Sequence, residues 1–266
     1  MESFIKKVEQ SWIDHKTQVL TGNDSIRSEV EKIFDIVESK SEEVLGFLDI
    51  SCKVLLSGPP GFGKSAIAYE IAGKLKSRTE VEASVYEVDM PQLLSEKMGK
   101  TPKNVSKLFE EINKKTKDYY VVLIMDEIEV FFLSREDKQE HPDMNRAVAE
   151  LMTQLDRATK NKKLYIIGLT NYKDKLDPAV LRRFSFHYEV ESPKESDYLA
   201  FFENQSFPIA GFNNDSESLK EVCEILLKKK LNFDSVKKEL RKWYLRHEDG
   251  TKPISSFKKH LNGGLE

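Results

Sequence analysis

Cysteine is almost missing from this chain: Cys52 and Cys223 are the only two in 266 residues. Two thiols cannot build a disulfide framework, and neither sits at metal-ligand spacing, so a reducing compartment is expected. Long apolar runs are missing too. The longest, Tyr119 to Met125, falls far short of the roughly 20 residues that a membrane-spanning helix needs. The opening Met1-Glu2-Ser3-Phe4-Ile5-Lys6-Lys7 carries charge where a secretory leader is apolar. A soluble, cytoplasmic protein with no membrane contact is the expectation. Nor is there a large excess of either charge. The net charge of −3 and a pI near 6.1 argue against general nucleic-acid binding, which leaves a basic footprint. Only the segment from Lys220 to His260 departs from this balance, with bases outnumbering acids about two to one, as on a solvated basic helix face.

What the chain does have is Gly58-Pro59-Pro60-Gly61-Phe62-Gly63-Lys64-Ser65, placed directly after the apolar run Lys53–Ser57 and before a helix-forming stretch that opens at Ala66. In that setting, G-x-x-x-x-G-K-[ST] works as a phosphate cradle. Glycines let successive N–H groups wrap an anion, and the following helix adds the positive end of its dipole. Lys64 is placed to reach the β- and γ-phosphates of ATP, and Ser65 to ligate Mg²⁺.

From Lys53 onward, strand and helix patterns alternate. Strands are expected at Lys53–Ser57, Ala83–Val88, Tyr119–Met125, Leu164–Thr170 and His187–Val190, with helices at Ser65–Leu75, Val105–Lys114 and Asn145–Arg157. Strands nearly continuous in Val, Ile, Leu and Tyr and joined by helices predict an α/β fold with a parallel sheet covered on both faces. After Pro193 the pattern turns all-helical, with helices at Ser196–Phe202, Ser216–Lys229, Asp234–His247 and Ser255–Leu261. The first 48 residues read as a helical extension of two segments. Ile5, Val8, Trp12 and Ile13 share one face of the first; Ile26, Val30, Ile33 and Val37 share one face of the second, capped by Asp24 or Ser25. The expected division is therefore residues 1–48, a nucleotide-binding α/β unit at 49–193 and a helical lid at 194–266.

Three further patterns carry chemistry. The strand through Val121–Met125 ends in Asp126-Glu127, which places Asp126 to hold Mg²⁺ and Glu127 to polarise an attacking water. The strand Leu164–Thr170 delivers Asn171 to the carboxyl edge of the sheet, where ligands of open parallel sheets bind; its amide could position the water or sense the γ-phosphate. After Leu176-Asp177-Pro178-Ala179-Val180-Leu181 come Arg182 and Arg183, and a guanidinium aimed at a neighbouring subunit's γ-phosphate is the arginine-finger device.

Taken in order, these motifs resemble the AAA ATPases, closest to the group containing katanin and spastin, over residues from about 50 to 250. The resemblance implies a P-loop NTPase sheet with a helical lid and a homo-oligomeric ring, most simply a hexamer. Bound ATP and Mg²⁺ would drive the remodelling of a protein partner. It places nucleotide binding on Gly58 to Ala66, metal binding on Ser65 and Asp126, water activation on Glu127, sensing on Asn171 and trans-acting fingers on Arg182 and Arg183. One position departs from the pattern: in Ser95-Glu96-Lys97-Met98-Gly99-Lys100-Thr101, Lys97 stands where members that thread a polypeptide carry an aromatic residue. That departure, with the short N-terminal portion, keeps a second reading open, an ATP-gated regulatory subunit that controls a partner effector. A third, a DNA-handling ATPase, rests on the basic segment alone.

Overall fold

The structure, a computed structural model, describes residues 4–18, 20–78, 82–94, 100–133, 142–204, 215–246 and 254–263. The chain opens with strand β1 (Ile5–Lys7) and helices α1 (Gln10–Thr17), α2 (Asp24–Ser39) and α3 (Glu42–Phe47). Then β2 (Lys53–Ser57), α4 (Lys64–Arg78), β3 (Ala83–Val88), the short α5 (Met90–Leu93) and α6 (Lys100–Lys115) follow. Next come β4 (Tyr120–Met125), α7 (Val130–Leu133), α8 (Pro142–Ala158), β5 (Leu164–Thr170), α9 (Pro178–Leu181) and β6 (Phe186–Glu189). Helices α10 (Glu195–Glu203), α11 (Ser216–Lys228), α12 (Phe233–Leu245) and α13 (Ile254–Leu261) complete it.

Six strands form one sheet in the order β1-β3-β4-β5-β2-β6, parallel throughout except for β1. The central strands are buried along almost their whole length, which is why they read as unbroken apolar runs. Alternation along them divides two cores. Leu55, Val121, Leu123, Met125 and Ile166 face α6 and α8, while Val54, Leu56, Val122, Ile124 and Ile167 face α2 and α4. A third core, built on Tyr198, Phe202, Leu226, Trp243 and Phe257, holds α10 to α13 together. No helix among the described residues is long and apolar enough to cross a membrane.

The N-terminal portion departs from the helical extension expected. Ile5, Lys6 and Lys7 pair antiparallel with Val88, Glu87 and Tyr86 of β3, covering an edge whose N–H and C=O groups would otherwise lie open. Ile5 is therefore a strand residue, and Trp12, expected on the buried face, is 46% exposed while Ile13 is buried. Ile26, Val30, Ile33 and Val37 of α2 are buried as expected. Its N-cap is Asn23, at φ 55°, and not Asp24 or Ser25. Asn23 gives its side-chain oxygen to the N–H of Glu191 instead, at 3.1 Å. The helix α3, capped by Ser41, was not anticipated.

Candidate functional site

The phosphate loop runs from the carboxyl end of β2 into α4, whose first turn is closed by the Ile67 N–H donating to the Gly63 carbonyl at 2.9 Å. Two of its glycines sit where a side chain would be both strained and crowded. Gly58 has φ 147° and Gly61 φ 80°; a Cβ on the first would lie 2.7 Å from the Val190 carbonyl, and on the second 2.4 Å from Asn232 Nδ2. Pro59 and Pro60 are exposed, Phe62 leans on the α2/α4 core, and Ala66 is half-buried beside it. Lys64 is only 6% exposed, and its ammonium donates to the carbonyls of Gly58 (2.7 Å) and Pro59 (2.8 Å). Burial pushes it below the usual lysine range, while the charges of Asp126 and then Glu129 oppose that shift.

Ser65 and Asp126 meet directly: Ser65 Oγ donates to Asp126 Oδ2 at 3.0 Å. A hydroxyl and a carboxylate at that separation are the hard oxygen donors Mg²⁺ takes. Among the described residues, no group of three or more His, Cys, Asp or Glu side chains could hold a metal alone. An ion bound to Ser65 and Asp126 would therefore draw its remaining ligands from phosphate oxygens and water. Glu127 follows in the left-handed region at φ 53°, with its own N–H donating to Asp126 Oδ1 at 2.8 Å. A non-glycine residue held there costs of order 1–3 kcal/mol, a cost that persists where the surroundings fix the turn. Glu127 is exposed, and with Asp126, Lys6, Glu87 and Asp89 it lines a cavity of about 340 Å³. Asn171 arrives from β5, its backbone N–H donating to Glu129 Oε1 at 3.1 Å.

Arg182 and Arg183 are not brought to this cluster. They follow α9 and pack beside the opposite end of β2, where the Ser185 N–H donates to the Lys53 carbonyl at 3.0 Å. A five-residue strand separates that end from the phosphate loop, roughly 16 Å. Arg182 is exposed, with Nε donating to the Pro178 carbonyl at 3.3 Å. Arg183 is held: Nη1 donates to the Ala179 carbonyl at 2.7 Å and Nη2 to Asp156 Oδ2 at 3.2 Å, with Nε also 3.2 Å from Asp156 Oδ1.

Lys53, at the same end, is 4% exposed and donates to the Leu155 carbonyl (2.9 Å) and Thr159 Oγ1 (2.5 Å). Burial pushes its ammonium down to about 8, against the opposing charge of Asp156. Between pH 8 and about 10.5 the unfolded chain then holds a proton that the native state has lost, so stability rises with pH across that window. Wild type should gain stability relative to Lys53→Met as pH is raised from 7 to 10, measured by urea unfolding; a gap independent of pH would contradict the assignment.

Two contributors escaped sequence reading. Asn232, at the start of α12, caps that helix by accepting the Ser235 N–H at 2.8 Å and donates Nδ2 to the Pro60 carbonyl at 3.1 Å. One side chain thus joins the lid helix to the phosphate loop. The loop between α1 and α2 is the other: Leu20 lies over Gly63, and Thr21 Oγ1 donates to the Asp197 carbonyl of α10 at 3.0 Å. An Asn before an acidic first turn signals a cap, but nothing local says that its amide also reaches a loop far away in sequence. Asn232→Asp should keep the cap and the stability while losing the donor to Pro60, whereas Asn232→Ala should also cost about 1 kcal/mol. Thermal unfolding separates the two, and amide exchange at Gly61 to Gly63 should quicken in both. Lys97 lies outside the described residues.

The chain was compared with known proteins. A proteasome-associated ATPase of Parafrankia sp. (strain EAN1pec) is 29% identical over 182 residues, 63% of this chain and 30% of that protein. A protein of Corynebacterium diphtheriae described as an AAA ATPase forming ring-shaped complexes is 30% identical over 197 residues, 70% of this chain and 39% of that one. The matched part of the chain thus spans between 30% and 39% of the length of these curated relatives. Neither is a katanin or a spastin, so the comparisons support the broader family and not that narrower group. Among solved structures, a chain of the E. coli MS115-1 HORMA:CdnC:Trip13 complex superposes with a TM-score of 0.81 at 17% identity, covering 98% of this chain and 94% of that one. C. elegans PCH-2 gives 0.77 at 18%, covering 97% of this chain and 73% of that one. Those likenesses speak for the fold alone. The sequence match is what decides: the family described as "ATPase family associated with various cellular activities (AAA)" fits residues 54–192, over half the chain and from inside β2 to just past β6, and the chain belongs to that family of AAA ATPases.

Proposed function

We propose that this chain is a subunit of a ring, most simply a hexamer, that hydrolyses ATP and uses the cycle to remodel or take apart a protein partner. The observation that carries this reading is the division of the site. Lys64, Ser65, Asp126 and Glu127 converge at one end of the sheet, while the arginines the motif supplies sit at the other, where the exposed Arg182 is available to a neighbour.

In this reading the N–H groups of Gly61 to Ser65 and the Lys64 ammonium bind the phosphates, and Ser65 and Asp126 would hold Mg²⁺, which would neutralise phosphate charge when bound. Glu127 orients a water for in-line attack and draws off its proton. Asn171 holds that water or the γ-phosphate by its amide. Arg182 or Arg183 of the adjoining subunit stabilises the charge that develops in transfer. Asn232 and the loop at Leu20 to Asn23 tie the lid to the phosphate loop, so that a change at the nucleotide is felt by α10 to α13.

The description of the Corynebacterium relative as ring-forming supports assembly, and the HORMA and CdnC components named with the Trip13 structure give a precedent for a protein partner. The narrower likeness to katanin and spastin would make that partner a protein assembly, and a cytoplasmic location goes with the reading. Lys97, in sequence where threading members carry an aromatic residue, favours as the second reading an ATP-gated switch that controls an effector without threading. Measuring phosphate release with Mg²⁺ and with EDTA, over a range of protein concentrations and alongside sizing, tests the proposal. Turnover per subunit should need Mg²⁺ and rise as the ring forms; turnover independent of concentration in a monomer would refute it.

A further inference from the structure

Neither the metal chemistry nor the water chemistry uses Glu129. It lies in the turn between β4 and α7 and is 3% exposed. Carboxylates are almost never taken so far from water without partners, because desolvating the charge costs several kcal/mol. One oxygen has a partner: Oε1 accepts the backbone N–H of Asn171 at 3.1 Å. The other, Oε2, is buried with no hydrogen-bond partner among the described residues. The same turn is tied to β5 once more, by the Ile128 N–H donating to the Leu169 carbonyl at 3.1 Å, and the phosphate loop joins that strand end through the Gly58 N–H and the Thr170 carbonyl at 3.3 Å.

Asn171 stands one residue beyond the last paired position of β5, where Ser57 faces Thr170. Its N–H has no ladder to join, and Glu129 takes the place of a strand neighbour. We propose that Glu129 is a positioning residue for hydrolysis: through Oε1 it fixes the main chain of Asn171 against the turn that carries Asp126 and Glu127, so that the sensor amide and both acids form one rigid frame beside Lys64. This rests on the ATPase reading. The negative charge itself is no help to a site that binds a polyanion. Glu129 lies within electrostatic reach of Lys64, and its charge opposes phosphate binding there. The acceptor, held by a side chain of this length, is the useful part.

Full-length Glu129→Ala and Glu129→Gln separate the acceptor from the charge. In the alanine variant, exchange of the Asn171 amide should quicken at least tenfold. Its kcat should fall by about tenfold to a hundredfold, the scale expected when a reacting group is misplaced by an ångström or so. ADP should bind at least as tightly as in wild type, because the opposing charge is gone here too. In the glutamine variant the amide oxygen still accepts, so Asn171 protection and kcat should stay within about threefold of wild type while ADP binds more tightly. Wild-type kcat and protection in the alanine variant would overturn the proposal, and so would a glutamine variant as slow as the alanine one. If alanine prevents folding, Glu129→Asp keeps the charge but withdraws the oxygens by one methylene. It should be slow with nucleotide affinity kept, and wild-type turnover in it would equally overturn the proposal. A wild-type protein without ATP turnover would instead count against the ATPase reading, while Asn171 exchange would still decide the role of Glu129.

Discussion

Glu127→Gln should bind ATP within about threefold of wild type and turn it over at least 10²-fold more slowly, the scale on which a positioned general base acts. Glutamine matches glutamate in size but cannot take a proton from water. The geometry makes this a clean substitution. The bond that holds the turn runs from the Glu127 main-chain N–H to Asp126 Oδ1 at 2.8 Å, so it survives any change of side chain, and the left-handed φ of 53° is no harder for glutamine than for glutamate. Ser65 and Asp126, 3.0 Å apart, are untouched by the change, which leaves the proposed Mg²⁺ ligands intact. Single-turnover phosphate release and equilibrium binding of a fluorescent nucleotide measure the two quantities separately. Turnover within tenfold of wild type would remove Glu127 from its role.

The second large effect belongs to the arginines. Loss of an arginine finger lowers turnover by roughly 10³-fold, and an Arg182→Ala, Arg183→Ala double variant should show a fall of that order with nucleotide binding preserved. The single variants should differ. Arg182 is exposed and, among the described residues, its guanidinium hydrogen-bonds the Pro178 carbonyl alone, whereas Arg183 is clasped by Asp156 and the Ala179 carbonyl. Losing Arg182 should remove most of the activity; losing Arg183 should act partly through the seating of α9. Mixing decides whether the effect passes between subunits. The double variant has a sound phosphate loop, and Lys64→Ala has sound arginines, so a co-assembled mixture should recover activity that neither shows alone. No recovery, in a mixture shown by sizing to co-assemble, would move the balance to the switch that works without its neighbour's arginines.

The central strands could be read from sequence because burial on both faces leaves little freedom in composition. Lys53–Ser57, Ala83–Val88 and Leu164–Thr170 have the same ends as expected, and the acid pair and phosphate loop meet as their order in a parallel sheet requires. The four helices after Pro193 were also legible, because each carries one apolar stripe. Reading failed where a residue's environment is made elsewhere in the chain. Ile5 to Lys7 form a strand because β3 offers an edge, which three residues with a helical apolar spacing cannot announce. Glu129 and Asn232 act through partners 42 and 172 positions away, so their local patterns, an acid after a strand and a helix cap, are common and uninformative. The separation of Arg183 from Arg182 by Asp156 was invisible for the same reason.

The antiparallel β1 has a practical consequence for anyone cutting this chain down. A fragment chosen by its motifs would start near Lys53 and keep the phosphate loop, Asp126, Glu127, Asn171 and both arginines. It would also bare the outer edge of β3, a strand buried along almost all its length, leaving an apolar template ready to recruit a strand from another molecule. Edge protection and nucleotide chemistry are thus encoded in different places, and a fragment that keeps the β3 edge paired has to include Phe4 to Val8, far from anything that the catalytic motifs would suggest.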